Sequence, residues 1–273
     1  MAFTPLVQYK GKNDGRGPSP EIWANLPRDI QDFNVGYEFF DDFLDFGVKT
    51  LPTTVGHASG GYDGFGSASN TIADAGVRGG AITLAPTVTD NLSMALSTVT
   101  KPFQITSNAS SAGKPLWFEA RIKCSTVGDT ESNFFVGLAG TSVLAVAVPL
   151  TTGGAVADIN AVGFHRKEAD GNIADFVYKA NGVTAVEQIA DAATLVADTF
   201  IKLGFYFDGE TTLTTYVDGV ANSTTKTIPN ATGTDFPADV TLGPIIAQMN
   251  ASGSPGTLTI DWWRVAQLSV DPG

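Results

Sequence analysis

From Tyr37 onward, apolar and polar residues alternate in short runs separated by residues that tolerate positive φ. In residues 117–124, Phe118, Ala120, Ile122 and Cys124 fall on one face and Glu119, Arg121 and Lys123 on the other. That is the period of a half-buried strand. The same reading predicts strands over 80–85, 134–139, 143–148, 160–167, 174–180, 200–207, 212–218, 239–248 and 257–267. Asp170-Gly171-Asn172, Asn181-Gly182, Asp208-Gly209 and Asp218-Gly219 punctuate these runs, as hairpins require. No long amphipathic helix competes. Residues 185–198, with Val186, Ile189, Ala193 and Val196, suit a helix, a loop or an edge strand equally. The expected architecture is all-β, two antiparallel sheets packed as a jelly-roll sandwich, and 273 residues can fill one such core.

Residues 1–36 follow a different pattern. Gly11, Gly15, Gly17, Pro18 and Pro20 interrupt a polar stretch with no sustained period, which predicts an irregular arm. Within it, Ser19-Pro20-Glu21 supplies a helix start, and Trp23, Leu26, Ile30 and Phe33 follow at helical spacing until Pro27 intervenes. The expected organisation is an arm at 1–36, a sandwich at 37–268 and a tail at 269–273.

Charge and cysteine usage narrow the function classes. The net charge is −12, and residues 1–33 hold four basic and four acidic residues, so the acidic excess lies in the body. Phosphate recognition needs clustered Lys and Arg, and no such cluster occurs, so neither nucleic acid nor an anionic membrane is an expected partner. Cys124 is the only cysteine, which excludes an intramolecular disulfide and a cysteine zinc site; as a small residue on an apolar strand face it reads as core. The N-terminus lacks the basic and apolar segments of a signal peptide, and no apolar run reaches membrane-spanning length, so synthesis in a cytoplasm is expected.

Catalytic signatures are sparse. Jelly-roll glycosidases need carboxylates opposed across a sugar, whereas Glu119 stands beside Arg121 and Lys123, and Asp261 beside Trp262, Trp263 and Arg264. Asp41, Asp42 and Asp45 are the densest acidic group, but their spacing suits turn capping or solvation. His57 and His165 are the only histidines, and His165 reads as an exposed strand residue. Residues 60–66, Gly-rich, lack the Lys-Ser/Thr pair of a phosphate loop and read as a loop that allows close backbone approach. Asp170, Asn172 and Asp175 are the nearest approach to a calcium ligand set, and they also make an ordinary turn. No cofactor and no enzymatic activity are expected.

Trp262-Trp263 needs a separate account. Strict alternation sends one indole to the core with Leu258 and Ile260 and the other to the opposite face with Val265. That second face must be covered, by the arm or a neighbouring chain, or else present an aromatic platform.

Phe200-Ile201-Lys202-Leu203-Gly204-Phe205-Tyr206-Phe207-Asp208-Gly209, followed by Leu213-Thr214-Thr215-Tyr216-Val217-Asp218-Gly219-Val220, resembles the paired strands of concanavalin A-like and laminin-G-like domains. Residues 37–43, 116–123 and 258–263 extend the likeness over most of 37–268. With the short arm and the Gly/Ala/Thr-rich body, the chain is similar to virion structural proteins of tailed bacteriophages, in particular capsid decoration or cement proteins. The resemblance implies a protein on the capsid surface whose partners are the major capsid protein and neighbouring copies of itself, a homotrimer being one arrangement. The residues expected to anchor it are Phe3, Leu6, Tyr9, Lys10, Lys12, Arg16 and Trp23, because an irregular arm with apolar residues and a basic tip orders readily against another surface. The alternative is a glycan-binding module of a phage fibre or virion surface, stacking sugars on Tyr206, Tyr216 or Trp263.

Overall fold

The structure, a computed structural model, describes residues 15–269 apart from 33, 45, 47–48, 51–55, 60, 67–70, 77–78, 88, 106–113, 129, 141–149, 152, 184–185, 228–235 and 252–255. Two nine-stranded antiparallel sheets pack face to face. In sheet A the order is β16 (Val220–Thr227), β15 (Thr212–Val217), β14 (Ile201–Phe207), β9 (Leu116–Cys124), β18 (Leu258–Leu268), β6 (Ile82–Ala85), β5 (Thr71–Asp74) and β2 (Lys49–Thr50), with β1 (Gly36–Asp41) also on β18. In sheet B it is β13 (Val186–Thr194), β12 (Ile173–Lys179), β11 (Ala161–Arg166), β10 (Ser132–Gly140), β17 (Val240–Asn250), β7 (Ser93–Thr98), β4 (Tyr62–Gly66) and β3 (Gly56–Ser59), with β8 (Phe103–Ile105) also on β17. This is the jelly-roll sandwich that the alternation predicts.

Inward side chains of both sheets form the main core. Phe118 stacks on Phe205 at 5.2 Å between centroids, Phe205 meets Phe176 edge-on at 5.4 Å, and Phe176 meets Phe164 at 5.3 Å, so aromatic contacts link β9 and β14 to β12 and β11. Around Trp263, midway along β18, Phe43, Phe46 and Tyr62 complete a second aromatic cluster with centroids 5.4–6.1 Å apart. Cys124 lies in the core, as its strand position implies, and burial pushes its thiol pKa up to about 12.

Local chemistry explains the connections. Asp218 and Gly219 both have positive φ, 49° and 83°, and Val217 pairs with Val220, which defines a two-residue hairpin. Asp208 Oδ1 accepts the backbone N–H groups of Glu210, Thr211 and Thr212, tying the β14–β15 turn. Gly137 and Gly163 face each other across β10 and β11, where a Cβ on Gly137 would lie 2.2 Å from Val162 O. Pro244 sits where the partner of β17 changes from β8 to β7, so its missing N–H falls at a break in the ladder.

Several strands depart from the sequence expectation. Residues 186–194 form β13, an edge strand with register shifts against β12. β7 was not predicted because every residue in it is buried, so no alternation marks it. β16 was missed for the opposite reason, since its polar sequence lacks an apolar face. The expected strand at 143–148 lies outside the described residues.

Candidate functional site

The outer face of sheet A carries the most distinctive chemistry. On β9, Trp117, Glu119 and Arg121 point away from the core that receives Phe118, Ala120 and Ile122. On β18 a β-bulge between Ile260 and Trp262 breaks the alternation. A bulge adds one residue to one strand and reverses the facing of everything after it. Asp261 and Trp262 therefore both face outward, and Trp263 turns into the core with Val265.

This corrects the assignment of Trp263 as a sugar-stacking residue. Its ring has no exposed surface, and its indole N–H reaches Tyr62 Oη at 3.3 Å. Trp262 is the outward indole, and the arm covers it: Nε1 donates to Arg16 O at 2.6 Å, and the side chain is 2% exposed. Coverage by the arm, one of the three alternatives for this face, is what the molecule uses.

Residues 15–35 form a strap across sheet A. Helix α1 (Pro20–Trp23) lays Ile22 over Gly204 of β14, where a Cβ would approach Ile22 Cδ1 to 2.8 Å and Phe118 O to 2.9 Å. Ile22, Trp23 and Ile30 bury against Trp117, Ala266 and Leu268, with Leu26, Val35, Tyr206 and Tyr216 at the margin. The helix is a single turn because Pro27 follows it; Leu26 N–H closes back on Trp23 O at 3.2 Å.

Two buried carboxylates fasten the strap. Glu119, 1% exposed, accepts the Ser19 N–H at 3.0 Å and the Trp23 indole N–H at 2.7 Å, both on Oε2. Burial raises its pKa, and the bonds from Ser19 and Trp23 oppose that shift. Asp261, also 1% exposed, receives Arg16 Nε at 3.0 and 2.9 Å on its two oxygens, Arg16 Nη2 on Oδ1 and Arg121 Nη1 on Oδ2. Arg16 Nη2 also donates to Gly79 O and Gly80 O, each at 2.9 Å. Charged hydrogen bonds of this kind hold when desolvated. Arg264 lies over the Trp23 ring, 4.1 Å from its centroid, and donates through Nε to Glu38 Oε1 at 2.5 Å.

The expected site residues divide accordingly. Arg16 and Trp23, proposed as anchors to a partner, are engaged within the chain. Phe3, Leu6, Tyr9, Lys10 and Lys12 lie outside the described residues. Tyr206 and Tyr216 share the outer face near Trp117, with Tyr206 and Trp117 centroids 5.1 Å apart, and burial raises both phenol pKa values. Glu119, Asp261 and Ser19 escaped sequence reasoning because their importance depends on contacts about a hundred or more residues away; the one available signal was a carboxylate on a strand face otherwise flanked by basic residues.

The remaining candidates are structural. Asp41 caps a turn by accepting Phe43 N–H at 2.7 Å and the Tyr62 hydroxyl at 2.5 Å. His165, expected on an exposed face, is 3% exposed, because the segment around Gly154 covers it and Gly154 O lies 2.6 Å from Nε2. Asp175 Oδ1 accepts the Asp191 N–H at 2.8 Å, holding β13 to β12. The 60–66 stretch is not the expected loop: residues 62–66 form strand β4, paired with β7 and alternating between buried and half-buried positions. The side chain of His57 is outside the described set. Among the described residues no three His, Cys, Asp or Glu side chains group to hold a metal ion, and no helix is long and apolar enough to cross a membrane.

One open cleft of about 500 Å³ remains beside the strap, lined by Pro18, Gln31, Glu38, Phe40 and Arg264. A smaller apolar one of about 170 Å³ lies between Phe39, Tyr62, Pro102, Phe103 and Pro244.

No protein-family model and no curated protein matches the sequence. Solved structures do resemble the fold. A protein of unknown function from Shewanella oneidensis MR-1 aligns over 86% of this chain and 87% of its own at 13% identity, with a TM-score of 0.53. Peanut lectin, solved with a nonamer peptide, aligns over 86% of this chain and 99% of its own at 14% identity and TM-score 0.52. Winged bean acidic lectin, in complex with methyl-α-D-galactose, aligns over 85% and 98% at 11% identity and TM-score 0.53. The chain therefore has the lectin-like, concanavalin A-like sandwich fold, and that likeness is one of fold alone.

Proposed function

We propose that the chain is a non-enzymatic structural protein of a bacteriophage virion, a capsid decoration protein that binds the capsid exterior and stabilises it. The observation that supports this reading is the use made of its charged groups. Glu119, Asp261, Arg121, Arg166 and Asp175 are turned to fastening one segment of the chain to another. A rigid sandwich with its carboxylates so committed suits a role in linkage. Binding to an assembled lattice in preference to free subunits stabilises that lattice by mass action. The partners are the major capsid protein and neighbouring copies of the chain, a trimer suiting threefold lattice positions, and the site of action is the virion surface after synthesis in the host cytoplasm.

The strap relocates the proposed anchor. Arg16 and Trp23 tie residues 15–35 to the central strands β9 and β18, so the contact with the capsid falls to the residues before them, Phe3, Leu6, Tyr9, Lys10 and Lys12. The test is a chain beginning at Gly15, mixed with purified particles of its phage and sedimented. It is expected to fold with unchanged melting behaviour and to remain in the supernatant while the full chain pellets. Undiminished pelleting overturns the arm's role.

A second reading, a glycan-binding module of a fibre or virion surface, is favoured by the lectin-like fold and by the partly exposed rings of Tyr206 and Tyr216 on the outer face of sheet A. Glycan binding lost on changing Tyr206 or Tyr216 would support it.

A further inference from the structure

We infer that the cleft between the strap and β1 is a binding site for a neutral saccharide, with the Phe40 ring as its stacking floor; the inference rests on the glycan-binding reading and moves its site from Tyr206 and Tyr216 to this cleft. The cleft has about 500 Å³ of space, within the range of small-ligand sites. Its lining comes from three separate elements: Pro18 and Gln31 from the strap, Glu38 and Phe40 from β1, and Arg264 from β18.

Phe40 is the decisive residue. It is 47% exposed, while its neighbour across the sheet face, Trp262, is covered. An exposed aromatic ring on an otherwise polar wall matches a ligand with one apolar C–H face and a rim of hydroxyls.

The polar groups fit the same class. Glu38 and Arg264 are held to each other at 2.5 Å, and Arg264 is further fixed over Trp23, so neither side chain must be ordered on binding. The pair is electrically balanced, which favours hydroxyls over a formal anion or cation. Glu38 retains carboxylate lone pairs as acceptors, Arg264 has guanidinium N–H groups as donors, and the Gln31 amide supplies one of each. Hydroxyl groups need both kinds of partner side by side.

Forming the strap also forms the cleft, since Pro18 and Gln31 belong to the segment that Glu119 and Asp261 hold down. The site therefore exists only when the outer face of sheet A is covered, unlike one built on Tyr206 and Tyr216, which the strap borders.

The full chain, isotopically labelled or observed by saturation-transfer NMR, is titrated with neutral trisaccharides of glucose, galactose, mannose and N-acetylglucosamine. Binding by at least one is expected, and Phe40→Ala is expected to weaken it about tenfold, the worth of one aromatic contact. Gln31→Ala is expected to weaken it less, and Tyr216→Ala to leave it unchanged. Phe40 and Gln31 are exposed, so both variants should keep the parent melting temperature. Binding that survives Phe40→Ala but fails in Tyr216→Ala overturns this site while preserving the glycan reading. No binding of any of the four saccharides overturns both.

Discussion

Replacing Trp23 by Phe isolates the hydrogen bond at the centre of the strap. The phenyl ring retains most of the apolar contact with Ile22, Ile30 and Trp117, but the donor to Glu119 Oε2, 2.7 Å away, is lost. Removing one partner of a buried acceptor costs about 1–3 kcal/mol, and Glu119 is left with fewer partners in a site 1% exposed. Taking about 2 kcal/mol, the equilibrium for lifting the strap rises about thirtyfold. The sandwich beneath keeps its own ladder and core, so the effect should be local. Hydrogen-exchange mass spectrometry at near-neutral pH reads this directly: peptides covering residues 17–26 should exchange about thirtyfold faster, while those from β9 and β18 change little. Unaltered exchange in the strap would refute the reasoning, as would equal acceleration in strap and core.

Glu119→Gln should expose the pH dependence of the same contact. A carboxyl whose folded pKa is raised stabilises fully below its ordinary value, and that contribution is lost as pH rises through the folded pKa. The Gln oxygen can keep both bonds, so urea midpoints should shift in favour of the variant as pH is raised from about 4 to about 8. Gly137→Ala places a Cβ against Val162 O and should cost at least about 1–3 kcal/mol by urea denaturation. Cys124, with its thiol pKa near 12 and 7% exposure, should resist an aromatic disulfide reagent in the native protein and react once in urea.

Much of the fold was legible because half-buried strands advertise themselves. Residues 116–124 and 201–207 alternate, and Asp218-Gly219 names its own turn. β7 and β16 were silent, one buried on both faces and the other polar on both. The site was less legible. A bulge at Asp261 leaves no mark in the sequence, yet it exchanges the roles of Trp262 and Trp263, so alternation alone sends the wrong indole to the core. The strap was visible as Trp23, Leu26 and Ile30 at helical spacing, but its destination was not. Only the tertiary pairing of Ser19 with Glu119 and of Arg16 with Asp261 turns an apparently detachable arm into part of the body.

The distinction between arm and body is tested most directly by thermal melting of two shortened chains, one beginning at Gly15 and one at Tyr37. The first keeps the strap and should melt with the full-length protein. The second loses the buried side chains of Ile22, Trp23 and Ile30. At roughly 2 kcal/mol each, less the entropy of ordering the strap, and about 2–4 °C per kcal/mol for a domain of this size, its melting temperature should fall, by up to about 12–24 °C. A Tyr37 chain that melts with the other two would contradict the account.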